Sequence, residues 1–98
     1  MIRRATPVTP VVPLGRVVAT PGALETLAMT GTDPRSLLAR HVTGDWGDLD
    51  PDDRAANETA LVTGARLLSA YDLPNGERLW IITEADRRST CLLRPDEY

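Results

Sequence analysis

Residues 65–94 read ARLLSAYDLPNGERLWIITEADRRSTCLLR, and the interpretation of this stretch decides the fold. Three apolar runs, Ala65 to Tyr71, Glu77 to Thr83 and Ser89 to Arg94, are separated by two polar interruptions. Runs this short, bounded by turn residues, suit strands rather than helices, which need ten or more residues to bury a stripe. The first interruption, Asp72-Leu73-Pro74-Asn75-Gly76, ends in Asn-Gly, whose residues tolerate the positive φ of a tight hairpin. The second, Glu84 to Arg88, is charged and turn-like. Together they predict a three-stranded antiparallel meander.

Working back from the meander, a punctuation rule appears three times. Thr20-Pro21, Asp33-Pro34 and Asp50-Pro51 are each followed, ten to thirteen residues after the proline, by Gly31, Gly44 and Gly64. Thr or Asp before proline places a capping oxygen at the helix start, with the missing proline N–H where no partner would be required. Glycine then supplies the left-handed residue that ends a helix. Three short helices are expected, with Leu24, Leu27 and Ala28 inward on the first and Leu37, Leu38, His41 and Val42 on the second. The third offers a small-residue surface of Ala55, Ala56, Ala60, Leu61 and Val62. Ahead of them, Arg16 to Thr20 (RVVAT) is β-branched and reads as one short strand. The fold class is α+β: one short N-terminal strand, about three short helices, and the C-terminal meander on which they pack.

Pro7, Pro10 and Pro13 recur at every third position of the opening segment, which favours an extended, mobile arm over residues 1–13 and a single domain over 14–98. A chain of 98 residues with 42% hydrophobic content holds one core and no second domain. Every basic residue is arginine, 11 of them against 14 acids, giving a net charge of -3. Residues 45–98 carry twelve of those acids, so the body is acidic and nucleic acid is not an expected partner. Cys91 is alone, no run approaches a membrane span, and MIRRATPVTPVVP lacks the apolar centre of a signal peptide; a cytoplasmic setting is expected.

The densest chemistry lies in HVTGDWGDLDPDDRAANE, residues 41–58, which gathers five aspartates around Trp46. Asp50 is placed as a helix cap, with Asp52 and Asp53 in the first turn, where negative charge meets the positive end of the helix. Asp48, Asp50 and Asp52 alternate as in a calcium loop, but Asp53 stands where the sharp turn needs glycine and Thr59 where the bidentate glutamate belongs. Trp46, between Gly44 and Gly47, either folds onto the core of a chain without phenylalanine or stands out as an anchor. In the second case Asp45, Trp46 and Asp48 form a partner-binding patch suited to a basic protein surface. His41 is the single histidine and shares a face with Leu37 and Leu38, which suits a core position. No ligand pair stands at zinc spacing, and neither a nucleophile elbow nor a phosphate loop is present, so no metal or cofactor is expected. An alternative catalytic set consists of His41, Glu84, Arg87 and Arg88, with acid/base and phosphate-holding roles.

The segments LGRVVATPGAL (14–24), LLARHVTGDWGDLDPDDRAANE (37–58), RLLSAY (66–71), LWIITEADRRST (79–90) and LLRPDEY (92–98) resemble a family of small bacterial proteins carried on plasmids and other mobile elements. Members are described as plasmid-related or as a type I restriction subunit. A methyltransferase subunit needs a glycine-rich cofactor loop and an Asn/Asp-Pro-Pro-Tyr motif, and neither occurs here. The resemblance implies a setting among defence and counter-defence genes. The expected function is a non-enzymatic interaction module, of anti-CRISPR or anti-restriction type, that meets a basic defence nuclease or effector complex as a monomer or homodimer. A fainter likeness joins LWIITEADRRST to barnase-like and RelE-like ribonucleases, and implies a small metal-independent ribonuclease or toxin as the alternative.

Overall fold

Thr20-Pro21, Asp33-Pro34 and Asp50-Pro51 each start a helix in the computed structural model, which describes residues 11–98. Helix α1 spans Pro21–Thr30, α2 Pro34–Val42 and α3 Pro51–Thr63. The Thr20 hydroxyl accepts the Ala23 N–H at 3.1 Å, Asp33 accepts from Arg35 at 2.9 Å, and Asp50 from Asp53 at 2.8 Å. Gly31 and Gly64, at φ 63° and 80°, close α1 and α3 in the left-handed region. Helix α2 ends one residue before its glycine, on Thr43, whose hydroxyl bonds back to the carbonyls of Ala39 and Arg40.

Four strands form one mixed sheet in the order β1-β4-β3-β2, with β1 at Arg16–Ala19, β2 at Leu67–Asp72, β3 at Arg78–Thr83 and β4 at Ser89–Leu93. The meander β2–β3–β4 is antiparallel, while β1 joins β4 in parallel. The α+β expectation is met element by element.

Register places Leu67, Ser69, Tyr71, Leu79, Ile81, Thr83, Thr90 and Leu92 on one sheet face. Ala23 and Leu27 of α1, with Leu37 of α2, pack there against Tyr71, Leu79, Ile81 and Leu92. Ala60 of α3 joins Val12, Trp46 and Leu67 in a second cluster. All three helices therefore cover the same face. On the opposite face Trp80 meets Tyr98 edge to face at 5.8 Å, and the Arg66 guanidinium lies 5.1 Å from the Tyr98 ring centre.

Several inward assignments differ. Leu24 is 57% exposed, Ala28 is also outside, and Thr26 takes the inner position, donating to Glu77 at 2.7 Å. On α3 the buried residues are Asn57 and Ala60; Ala55 and Ala56 are exposed and Val62 is 88% so. The helix touches the sheet along a strip three residues apart, and Val62 lies off that strip. The expected mobile arm over 1–13 lies outside the described residues as far as residue 10. From Val11 onward the chain is docked: the N–H groups of Val11 and Val12 both bond the Val42 carbonyl, at 2.7 and 3.2 Å, and Val12 is buried. Val12 supplies an apolar side chain to the Trp46 cluster, and that burial moves the domain boundary earlier than Leu14.

Candidate functional site

His41 sits on the inner face of α2, fully enclosed, and closes a chain of side-chain hydrogen bonds through the core. Nδ1 is 2.5 Å from Ser69 Oγ, Nε2 is 2.8 Å from Thr83 Oγ1, Thr83 is 2.8 Å from Thr90, and Thr90 donates to the Leu14 carbonyl at 2.8 Å. The Leu14 carbonyl can only accept, so it sets the direction of every proton behind it. Thr90 uses its proton on Leu14, so Thr83 donates to Thr90 and must accept from His41 Nε2–H. His41 Nδ1 is then unprotonated and accepts from Ser69. The ring is the neutral Nε2–H tautomer. Burial, with the nearby charge of Arg87, lowers its pKa from 6.5 to about 4.

A serine hydroxyl on a histidine nitrogen is the first half of a nucleophilic dyad. Here Ser69, His41, Thr83 and Thr90 are all buried, and no pocket opens among the described residues. The arrangement instead ties α2, β2, β3, β4 and the approach to β1 together with every partner satisfied.

The aspartate-rich loop has mostly structural employment. Asp45 pairs with Arg40 at 2.7 Å, which holds its carboxyl below the ordinary carboxylate range. Arg40 stacks over Tyr71 at 4.6 Å, and the Tyr71 hydroxyl donates back to the Asp45 carbonyl at 2.7 Å. Burial pushes the Tyr71 pKa up to about 12. Trp46 is 2% exposed; its indole N–H reaches Glu58 at 3.0 Å and its ring meets His41 edge to face at 5.8 Å. Of the two roles open to Trp46, the core position is the one observed, because few other large rings are present to fill the space under α3. It is therefore removed as an outward anchor, and the patch of Asp45, Trp46 and Asp48 is reduced to its carboxylate rim.

The same loop seals the outer edge of β2. Ala70 donates to the Trp46 carbonyl at 3.1 Å and accepts from Asp48 N–H at 2.7 Å, while the Asp72 N–H bonds the Asp48 carboxylate at 2.8 Å. The Asn57 amide does the same for Leu68, donating to its carbonyl at 2.5 Å and accepting its N–H at 3.1 Å. Gly47 makes this possible: at φ 76°, a Cβ there would lie 2.1 Å from the Ala70 carbonyl oxygen. Asp52 and Asp53 are exposed at the first turn of α3 and form no ion pair among the described residues.

The alternative set is not assembled into one concave site. Arg87 occupies the positive-φ turn position, φ 60°, and its guanidinium binds the carbonyls of Ala65, Glu84 and Ala60 at 2.7, 3.1 and 3.2 Å. It thereby caps the negative end of α3. Glu84 and Arg88 are exposed, and His41 is sealed beneath them in the core. Among the described residues no group of three or more His, Cys, Asp or Glu is placed to hold a metal ion, and no helix is long and apolar enough to cross a membrane. Ser69, Thr83, Thr90 and Asn57 were not singled out by the sequence, whose only signal was their polar type inside apolar strands or a helix. Set against known protein families, curated proteins and solved structures, the chain matches none.

Proposed function

We propose that this protein is a non-enzymatic interaction module that meets a basic protein surface through the acidic start of α3. What supports this reading above all is the contrast between employed and free carboxylates. Asp45, Asp48 and Asp50 are held by hydrogen bonds in a braced loop, whereas Asp52 and Asp53 project beside them with no ion-pair partner among the described residues. A charged patch on a braced support loses little conformational entropy on binding and steers a basic partner over a Debye length of about 8 Å at physiological salt. The resemblance to mobile-element proteins suggests a defence nuclease or effector complex as that partner, with the chain acting as an inhibitor.

The test is affinity capture from a bacterium carrying defence systems, at two salt concentrations, with Asp52→Asn/Asp53→Asn as comparison. A stoichiometric basic protein retained by the native chain, weakened by salt and lost with the variant, supports the patch. A partner held equally by both proteins refutes it, and RNA cleavage by the purified chain would return weight to Glu84, Arg87 and Arg88.

A further inference from the structure

The two edges of the sheet are treated differently. On β2, the outward backbone groups of Leu68, Ala70 and Asp72 are met by Asn57, Trp46 and Asp48. On β1, Arg16 N–H and Thr20 N–H bond the Arg88 and Leu92 carbonyls, so Arg16, Val18 and Thr20 turn their backbone toward β4. Val17 and Ala19 therefore turn theirs outward, and nothing among the described residues meets them. Their neighbourhood is apolar and open, with Val17 43% and Val18 39% exposed. An edge of this kind, unprotected and with its one charge at the Arg16 end, is a template for another strand.

We propose that β1 pairs with β1 of a second copy, antiparallel about a twofold axis at Val18, to give one continuous sheet across a homodimer. The register follows from the backbone. Val17 opposite Ala19 of the second copy satisfies the outward N–H and C=O of both residues, whereas Val17 opposite itself leaves Ala19 facing Gly15, which leaves the strand at φ 63°. In the first register the exposed Val18 side chains meet at the axis, on the face that carries Cys91. Val17 covers Ala19 on the other face.

Charge selects the same partner. Arg16 forms no ion pair among the described residues, and neither does Glu97. Arg16 falls opposite Thr20 of the second copy, and the Thr20 hydroxyl donates to Glu97 at 2.6 Å. Each Arg16 is thus delivered beside a Glu97 carboxylate across the axis, with no like charges opposed. Two short strands form a small interface, so the dimer is expected to be weak and concentration-dependent.

Sedimentation of the full chain over a concentration series tests this, with Val18→Asp placing like charges at the axis and Val62→Asp as a surface control. Native protein and Val62→Asp should dimerise, and Val18→Asp should dimerise at least ~10-fold more weakly while keeping its far-UV spectrum. A second variant guards against misfolding: Val18→Cys in a Cys91→Ser background, which prevents closure onto the adjacent Cys91, should oxidise to a covalent dimer. A dimer unaffected by Val18→Asp, or no faster cross-linking from Val18→Cys than from Val62→Cys, overturns the proposal. So does a native monomer whose Val17 and Ala19 amides exchange slowly, which would give the edge to another segment of the same chain.

Discussion

His41 Nδ1 lies 2.5 Å from Ser69 Oγ with both residues buried, so at neutral pH the only histidine is neutral in the fold and charges more readily on unfolding. The folded pKa is lowered to about 4 against 6.5 in the unfolded chain. The unfolded state therefore takes up a proton first as pH falls. The contribution is complete above pH 6.5, declines between 6.5 and about 4, and amounts to roughly 3 kcal/mol. Carboxylates held low by partners, such as Asp45 by Arg40, add their loss only near and below the ordinary carboxylate range. Urea unfolding should accordingly show stability falling between pH 7 and 5, and His41→Gln should flatten that slope while lowering stability at pH 7.

Asn57 is the single side chain that closes the Leu68 position of the β2 edge, using both ends of its amide. Asn57→Ala leaves the partly buried N–H and C=O of Leu68 unpaired, at a cost of about 1–3 kcal/mol. Asn57→Asp keeps the acceptor and loses the donor, so its loss should be of the same order. Denaturant midpoints measure both, and light scattering should reveal association through the reopened edge in Asn57→Ala.

Gly47 and Gly31 share a left-handed backbone but not their surroundings. Nothing lies within 4 Å of a Cβ built on Gly31, whereas one on Gly47 meets Ala70 oxygen at 2.1 Å and the Tyr71 ring at 2.6 Å. Gly31→Ala should cost about 1–2 kcal/mol from conformation alone. Gly47→Ala should cost several times more, because the loop must leave β2, and thermal unfolding will separate the two.

Arg87 combines an unfavourable φ of 60° with a guanidinium on three carbonyls. Arg87→Ala loses the contacts and keeps the strain, whereas Arg87→Gly loses the contacts and relieves it. The glycine variant should be more stable than the alanine variant by about 1 kcal/mol.

Helices and turns were legible in the sequence because their signals are local. Thr20, Asp33 and Asp50 act on N–H groups two or three residues away, and Asn75-Gly76 turns the chain where it stands. Contacts set by tertiary placement were not legible. The parallel joining of β1 to β4 depends on how three intervening helices return the chain. Leu24 and Val62 look inward by composition, and Thr26 and Asn57 replaced them because each has a hydrogen-bond partner beneath the helix, Glu77 just ahead of β3 for Thr26 and Leu68 on β2 for Asn57. For the candidate site, the placement of Asp50, Asp52 and Asp53 at the α3 start was readable from the dipole of the helix. The reading of Trp46 turned on Glu58 and His41, which meet it only after folding.

Nitrogen NMR of the His41 ring during a pH titration tests most directly the claim that this histidine fastens the core and leaves function to the surface. A neutral ring protonated on Nε2, accepting at Nδ1 and titrating near pH 4, is the predicted result. A ring titrating near 6.5, with Nδ1 protonated or in rapid exchange with water, would contradict it and make the Ser69–His41 pair a reactive dyad.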